Sequence, residues 1–187
     1  DMSQAVGLNS LSSSAPAKDA VREAAPVQMM QGSASASVSQ DQLAEYYAGK
    51  QFEYGFASIC KMLLPAAELK GKKVLDIGSR RGRGVYKISS MVGMEGRAIG
   101  VDWSEAYVQE SKDGITRAWH DSGLPGNNMD FYLAYPEDLM MAGLGSGTMD
   151  VVYVNNVMTL FFDQAQALKE FSRVLKPGGL LIMETVF

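Results

Sequence analysis

The stretch Lys73-Val74-Leu75-Asp76-Ile77 decides the fold, because it is a short apolar run that carries an acid near its end and leads into a loop of glycines and arginines. A second such run is Ala98-Ile99-Gly100-Val101-Asp102, and further apolar runs cover residues 129–134, 149–154 and 180–187. Segments with helical spacing separate these runs. Apolar strands that alternate with helices are typical of a parallel sheet that is covered on both faces. We therefore expect an α/β fold with a mostly parallel sheet.

The segments between the predicted strands carry the periodicity of helices. These helices cover residues 41–47, with Asp41 as N-cap, and then 52–64, 85–92, 105–121, 136–141 and 163–175, while residues 176–179 form a turn. Residues 1–40 are rich in Ser, Ala, Gln and Met and contain no aromatic residue. We expect them to form a low-complexity arm that is either flexible or packed on a neighbouring subunit. Residues 41–187 are predicted to form one domain.

The composition excludes several classes of protein. The chain has 187 residues and a formal net charge of -4, so a basic surface for nucleic acid is not expected. Cys60 is the only cysteine and His120 the only histidine, which excludes an internal disulfide and argues against a metal site. The sequence has no apolar run of about 18 residues and no sign of a secretory leader. We therefore expect a soluble, cytoplasmic protein without a membrane segment.

The residues that follow the strands are the candidates for a site, because ligands of such sheets bind beyond the carboxyl ends of the strands. After the first strand, Gly78 and Gly82 would let the backbone approach a ligand closely. Asp102 ends the second strand and could accept hydrogen bonds from both hydroxyls of a ribose. Trp103, directly after it, offers a flat face to an adenine.

The ends of the third and fourth strands complete a candidate adenosine site. Tyr135, Pro136 and Glu137 could edge the same base, and Asn155 follows the fourth strand. Glycines at 78, 82 and 84 do not form the G-x-G-x-x-G pattern of a dinucleotide site, and no lysine–serine pair forms a phosphate-binding loop. Each residue alone is weak evidence, but their order together predicts an adenosine-binding site.

Four motifs connect the chain to a superfamily. They are Val74-Leu75-Asp76-Ile77-Gly78, Gly100-Val101-Asp102-Trp103-Ser104, Met149-Asp150-Val151-Val152 and Phe171-Ser172-Arg173-Val174-Leu175-Lys176-Pro177-Gly178-Gly179. With them, residues 41–187 resemble a class I S-adenosylmethionine-dependent methyltransferase. The resemblance implies a Rossmann-like three-layer sandwich and S-adenosylmethionine as cofactor. It implies a cofactor site formed by Asp76, Gly78, Ser79, Arg80, Gly82, Asp102, Trp103, Tyr135, Pro136, Glu137 and Asn155.

Further segments resemble the arsenite methyltransferase branch of that superfamily. They cover residues 82–86, 91–102 and 134–139 and the segment 155–160. That branch holds trivalent arsenic through cysteine thiolates, as the softness of the metalloid requires. At the cysteine positions of the branch this chain has Ser79 and Asn156. The implied acceptor is therefore an unidentified small molecule other than arsenite.

Arg80 and the length of the chain depart from the family pattern. Arg80 replaces a glycine of the family, and its side chain could bind the carboxylate of the methionine tail, block the pocket or be solvated like Arg81 and Arg83. The family's sheet also ends with an antiparallel hairpin, which does not follow the fifth strand here, so residues 41–187 are expected to be a C-terminally incomplete domain: either the sequence is a fragment or a partner supplies the remainder. An uncovered edge strand pairs readily with other chains. We therefore expect a homo-oligomer, a strand-exchanged dimer or a partner chain at that edge.

Two functions remain open at this stage. One is a methyltransferase that acts on a small-molecule acceptor, and the alternative is a non-catalytic binding or assembly module with a degenerate cofactor loop. No catalytic residue is assigned, because methyl transfer mainly requires the orientation of donor and acceptor. Tyr47 of the first helix could close over the cofactor or simply pack in the core. His120 is expected to be a helix-terminal residue and not a catalytic base.

Overall fold

A computed structural model describes residues 38–51, 64 and 66–185, which belong to one unit of the chain, Ala36–Phe187. The predicted arm over residues 1–40 and the predicted helix over 52–64 lie almost entirely outside the described residues. The described helices are α1 (Gln40–Ala48), α2 (Ala66–Leu69), α3 (Arg83–Val92), α4 (Glu105–Asp113), α5 (Ile115–Asp121) and α6 (Gln164–Val174). The strands are β1 (Lys73–Ile77), β2 (Arg97–Asp102), β3 (Met129–Leu133), β4 (Met149–Asn155) and β5 (Leu175–Glu184).

The five strands form one sheet in the order β3-β2-β1-β4-β5, and every neighbouring pair is parallel. Val74 of β1 lies opposite Ala98 of β2 and Val151 of β4, which fixes the register at the centre of the sheet. The strand order reverses at β1, so the crevice in which such sheets bind ligands lies at the carboxyl ends of β1 and β4. The predicted α/β fold with a parallel sheet is confirmed.

Side chains of the central strand alternate between two apolar layers, as the two-residue period of a strand requires. Leu75 and Ile77 pack in the layer that contains Phe171 of α6. Val74 packs in the other layer, with Ile88 of α3. Helices therefore cover both faces of the sheet, and the predicted three-layer sandwich is confirmed.

The helix predicted over residues 105–121 is divided into α4 and α5 at Gly114. The hydroxyl of Tyr86 donates to the carbonyl of Ser111 over a distance of 2.7 Å, and in a continuous helix this carbonyl would accept the N–H of Ile115. A Cβ at Gly114 would lie 2.3 Å from the Tyr86 hydroxyl oxygen. Gly114 therefore leaves room for the Tyr86 side chain. The Tyr86 hydroxyl replaces the N–H of Ile115 as the donor to the Ser111 carbonyl.

Strand β5 begins directly after α6, whereas a turn was predicted over residues 176–179. Leu175 pairs with Met149 and Leu180 pairs with Val151, so the intervening residues bulge opposite Asp150 alone. The Asp150 carboxylate accepts hydrogen bonds from the Lys73 N–H at 2.9 Å and from the Lys176 ammonium at 3.0 Å. These bonds hold the bulge against the sheet, and the turn becomes part of the strand.

Helix α1 begins earlier than the sequence predicts. Ser39, and not Asp41, is its N-cap: the Ser39 hydroxyl accepts the N–H of Gln42, and the Gln42 side chain accepts the N–H of Ser39. Serine and glutamine at this spacing satisfy two otherwise unpaired donors of the first turn. The capping box therefore sets the start of the helix.

Two short segments near the ends of β3 and β4 form 3-10 helices. Residues 136–141 were predicted to be helical, but the helix lies at Leu139–Ala142, because the Asp138 N–H first closes a turn onto the carbonyl of Tyr135. The second 3-10 helix is Met158–Leu160. Among the helices that the structure describes, none has both the length and the apolar character needed to cross a membrane.

Candidate functional site

The loop after β1 turns over the ends of the neighbouring strands. Gly78 and Gly82 have φ angles of 70° and 81°, a conformation that favours glycine. A Cβ at Gly82 would lie 2.9 Å from the ring of Phe131, and a Cβ at Gly78 would lie 3.1 Å from the methyl groups of Val157. Ser79 of the same loop is buried. The two glycines therefore let the loop pack against the protein itself.

Asp102 lies at the end of β2 and is 2% exposed. One carboxylate oxygen accepts the backbone N–H of Arg80 and the other accepts that of Ser104, both at 2.8 Å. Burial raises the pKa of Asp102, while these N–H donors and the positive charge of Arg80 act in the opposite direction. A carboxylate offers about four lone-pair positions, and because the backbone N–H of Trp103 also binds Asp102, about one remains for a hydroxyl of a ligand.

The backbone of Arg80 is fixed on both sides. Its φ is 51°, its N–H binds Asp102, and its carbonyl accepts the hydroxyl of Ser111 at 2.8 Å. The Nη2 atom of its guanidinium is buried, whereas Arg81 is more than half exposed and pairs with Glu110 at 3.6 Å. Of the three alternatives for these arginines, solvation describes Arg81, whereas Arg80 is half-buried and its Nη2 atom is shielded from solvent.

Asp76 of β1 is a second buried carboxyl next to this loop. Burial and the nearby charge of Asp102 raise the pKa of Asp76 to about 8, and the charge of Arg80 opposes this shift. The charge of Arg80 therefore acts to lower the pKa of both carboxyl groups. Asp76, Asp102 and Arg80 lie at, or just after, the carboxyl ends of β1 and β2.

Aromatic rings gather at the ends of β2 and β3. The ring of Tyr47, from α1, stacks on Tyr135 with a centroid distance of 5.0 Å and an interplanar angle of 9°. It also lies 4.9 Å from the ring of Trp103. The Trp103 indole N–H donates to the carbonyl of Lys50 at 3.0 Å. The three aromatic side chains that the sequence placed near a base are thus brought together.

Glu137 connects this aromatic group to α6. Both of its carboxylate oxygens lie 2.9 Å from the Tyr47 hydroxyl, and Oε1 also accepts the N–H of Asp163. Glu137 is 3% exposed, and burial raises its pKa against the effect of these donors. Pro136, also predicted as a site residue, is buried beside it. The hydroxyl of Tyr47 therefore fixes α1 over the ends of the strands.

The carboxyl end of β4 carries Asn155 and Asn156. The Asn155 Oδ1 atom is buried and has no hydrogen-bond partner. Asn156 has a φ of 58°, and its N–H donates to the carbonyl of Glu184 at 2.7 Å. The Glu184 carboxylate accepts the hydroxyl of Tyr153 at 2.7 Å. The Oδ1 atom of Asn155 is therefore a buried hydrogen-bond acceptor without a donor, at the carboxyl end of β4.

Sequence reasoning missed two groups at this edge of the sheet, Glu184 and Ser111. It placed a third residue, His120, at a helix end and not in the site. Glu184 is the one acid inside the fifth apolar run of residues 180–187, which was an available signal. Ser111 has no signal in its own segment, because it reaches Arg80 from the middle of α4. His120 is exposed in the last turn of α5, which leads to the amino end of β3. It lies apart from the candidate site residues.

Comparison with known proteins identifies the family. A family model described as a methyltransferase domain matches residues 68–187. The chain belongs to the class I S-adenosylmethionine-dependent methyltransferases. Within this family it is similar to the arsenite methyltransferase branch, as the sequence motifs predicted.

Three members of the methyltransferase family show how far the similarity extends. Mouse arsenite methyltransferase is 34% identical over 68% of this chain and 34% of its own length. The crystal structure of an arsenic(III) S-adenosylmethionine methyltransferase from Chlamydomonas reinhardtii is 32% identical, with a TM-score of 0.62 over 77% of this chain and 44% of that chain. A ubiquinone/menaquinone biosynthesis C-methyltransferase from Francisella philomiragia is 32% identical over 62% of this chain and 43% of its length. The chain spans about a third of the length of the arsenite methyltransferases that it matches.

The cofactor of this methyltransferase family is S-adenosylmethionine, and the residues present fit it chemically. Asn155 Oδ1 is a buried acceptor without a donor, which an ammonium group would satisfy. Asp102 keeps acceptor capacity for a hydroxyl group, and Tyr135 is a partly buried aromatic ring for a base, whereas Trp103 is 5% exposed and packs in the core against Tyr47.

Proposed function

We propose that this chain is an S-adenosylmethionine-dependent methyltransferase domain that acts on a small-molecule acceptor. The observation that carries this proposal is the partnerless, buried Oδ1 of Asn155 at the carboxyl end of β4, on the same edge of the sheet as the Asp102 carboxylate at the end of β2 and the aromatic ring of Tyr135 after β3. A buried acceptor without a donor costs about 1–3 kcal/mol in the free protein, so a ligand that supplies the donor regains this energy. Membership of the methyltransferase family gives the ligand its identity.

The candidate residues receive binding roles and none receives acid–base chemistry. The bound cofactor would supply a methyl group on a sulfonium centre, which reacts by in-line displacement. Asp102 would accept a ribose hydroxyl, Tyr135 would contact the adenine, and Asn155 would accept the ammonium group. Orientation of this kind contributes several kcal/mol to a reaction between two bound groups.

The acceptor is proposed to be something other than arsenite. Trivalent arsenic prefers soft thiolate ligands. Ser79 and Asn156 stand at the positions where the resemblance to the arsenite branch implies cysteines. A hydroxyl and an amide are hard ligands, so this pair favours an organic acceptor.

A second copy of this chain is the proposed partner of the sheet edge. Within the described residues, β5 pairs with β4 alone. Leu181 and Met183 lie on one face of β5 and are 37% and 47% exposed. An open strand edge with apolar side chains is a template for pairing with another chain.

Calorimetric titration of the chain with S-adenosylmethionine and S-adenosylhomocysteine tests the proposed function. We expect Asp102→Asn to weaken binding about tenfold, because the amide accepts fewer hydrogen bonds than the carboxylate. Asp121→Asn is the matched control, since Asp121 is an exposed acid on α5 whose loss removes the same charge. Circular dichroism confirms that each variant is folded.

The outcomes separate the two functions that the sequence left open. Binding that depends on Asp102 and not on Asp121 supports the methyltransferase. Failure of the folded chain to bind either ligand would contradict it and favour a non-catalytic binding or assembly module.

A further inference from the structure

A cavity lies at the amino ends of β1, β4 and β5, on the edge of the sheet opposite to the candidate functional site. Strands of five to seven residues separate the two edges, a distance of about 15–20 Å at the usual rise per residue. The cavity has a volume of about 240 Å³. Pockets for drug-sized ligands begin at about 300 Å³, so this one has room for a smaller molecule.

The walls of the cavity combine aliphatic and charged side chains. Leu69 of α2 and Val151 of β4 are almost fully buried, and Leu180 and Ile182 of β5 line the cavity beside them. Four charged side chains complete the lining, two acids and two lysines: Glu68, Asp150, Lys72 and Lys176. The lining therefore carries no net charge, but it carries both signs next to an apolar surface.

Two of the four charges are matched within the protein. The Asp150 carboxylate accepts the backbone N–H of Lys73 at 2.9 Å and the Lys176 ammonium at 3.0 Å. Burial acts to raise the pKa of Asp150, but these donors and the charge of Lys72 hold it below its ordinary value. The Asp150 carboxylate therefore stays ionised and is already bound by donors of the chain.

The other two charges are available to a ligand. Glu68 lies in α2 and Lys72 lies just before β1, and both side chains are exposed. Among the residues that the structure describes, neither side chain forms a hydrogen bond or an ion pair. A carboxylate only accepts hydrogen bonds and an ammonium group only donates them. The cavity thus offers one unmatched acceptor group and one unmatched donor group.

We propose that this cavity binds a small zwitterion with an apolar body, of which an α-amino acid with an aliphatic side chain is the simplest example. Lys72 binds its carboxylate, Glu68 binds its ammonium group, and the aliphatic walls contact its side chain. The proposal does not depend on the proposed function, because the cavity shares no residue with the candidate functional site. A ligand there would stabilise the folded chain through α2 and β5.

Titration with three probes tests the proposal: L-leucine, isocaproate and isoamylamine. Isocaproate is leucine without its ammonium group, and isoamylamine is leucine without its carboxylate. We expect leucine to bind about fivefold more tightly than either analogue, because a partly exposed ion pair contributes up to about 1 kcal/mol. Heteronuclear NMR measures the three dissociation constants from the amide signals of Gly178 and Gly179, which line the cavity.

Neutral substitutions assign each preference to one side chain. Glu68→Gln should abolish the preference for leucine over isocaproate, and Lys72→Gln should abolish the preference for leucine over isoamylamine. Lys70→Gln is the matched control, because Lys70 is an exposed lysine two positions from Lys72 that does not line the cavity. It should keep both preferences. All three positions are exposed, so the variants should fold.

Three results would overturn the proposal. They are the absence of leucine binding, equal binding of leucine and isocaproate by the unmodified chain, and loss of both preferences in Lys70→Gln. Titration of the same variants with S-adenosylhomocysteine keeps the two sites apart. Because that ligand is proposed to bind at the opposite edge of the sheet, failure at this cavity leaves the proposed function intact.

Discussion

At the scale of single residues, Asp76 couples the stability of the fold to pH. Burial and the charge of Asp102 raise its pKa from 3.8 to about 8. The folded protein therefore holds a proton on Asp76 over a range of pH in which the unfolded chain has lost it. The stabilisation is complete below about pH 4 and is lost as the pH rises toward the folded pKa.

We expect Asp76→Asn to reduce the fall in unfolding free energy between about pH 5 and about pH 8.5. Asparagine resembles the protonated acid in shape and has no proton to lose, so the fall should shrink by on the order of a few kcal/mol. Urea unfolding at the two pH values measures this. Asp121→Asn, an exposed change of the same kind, should leave the fall unaltered. Equal pH dependence in Asp76→Asn and the unmodified chain would contradict the assignment.

Gly82 is required both by its backbone and by its surroundings. A Cβ there would lie 2.9 Å from Phe131 and from the Ser111 hydroxyl, at a φ of 81°. We expect Gly82→Ala to lower the unfolding free energy by about 2–4 kcal/mol, measured by urea unfolding. Gly123→Ala is the matched control, because its φ is 69° but nothing lies within 4 Å of the added atom. That variant should lose only about 1 kcal/mol from backbone strain.

At the scale of elements, α1 is attached to the strand ends by several contacts, of which the hydrogen bond from Tyr47 is buried. Tyr47 donates to Glu137, while its neighbour Tyr46 donates to the carbonyl of Leu160 at 2.8 Å. When ionised, the Glu137 carboxylate is a buried charge. It therefore depends more on the Tyr47 hydroxyl than the half-buried Leu160 carbonyl depends on the Tyr46 hydroxyl. The two adjacent tyrosines therefore offer a comparison within a single helix.

We expect Tyr47→Phe to lower the unfolding free energy by about 1.5–3 kcal/mol and Tyr46→Phe by only about 0.5–1.5 kcal/mol. Urea unfolding of both variants measures the difference, and hydrogen exchange of α1 shows whether the loss is local. Equal effects at the two positions would mean that Glu137 does not anchor the helix.

The elements were largely predictable, because their signals are local. The apolar runs predicted all five strands, and parallel strands place their carboxyl ends at one edge, which brought Asp102, Trp103 and Tyr135 together. The division at Gly114 was not predictable, because it depends on Tyr86 from another helix. The left-handed backbone of Arg80 likewise depends on distant partners, because the side chains of Asp102 and Ser111 bind its N–H and its carbonyl. The helix break at Gly114 and the conformation of Arg80 depend on contacts between distant segments, which patterns within one segment cannot predict.

At the scale of the whole molecule, the edge of β5 is the proposed site of association between two copies of the chain. We expect the chain to associate as a dimer at high concentration, and Leu181→Lys combined with Met183→Lys to make it monomeric, because the added charges oppose pairing of two edges. Sedimentation velocity over a range of concentrations measures this. Met140→Lys is the control, since Met140 is 59% exposed but lies in the 3-10 helix after β3. A monomer at every concentration would contradict the proposed interface.

The position of Trp103 gives the molecule an optical reporter of its own. The chain contains two tryptophans, and Trp119→Phe would leave Trp103 as the single indole. Its ring lies 4.9 Å from Tyr47 and its N–H binds the carbonyl of Lys50, just beyond the end of α1. The emission maximum and the fluorescence intensity of Trp103 would therefore change if α1 separated from the strand ends. The intrinsic fluorescence of Trp103 thus reports on the contact between α1 and the strand ends without a dye attached to the protein.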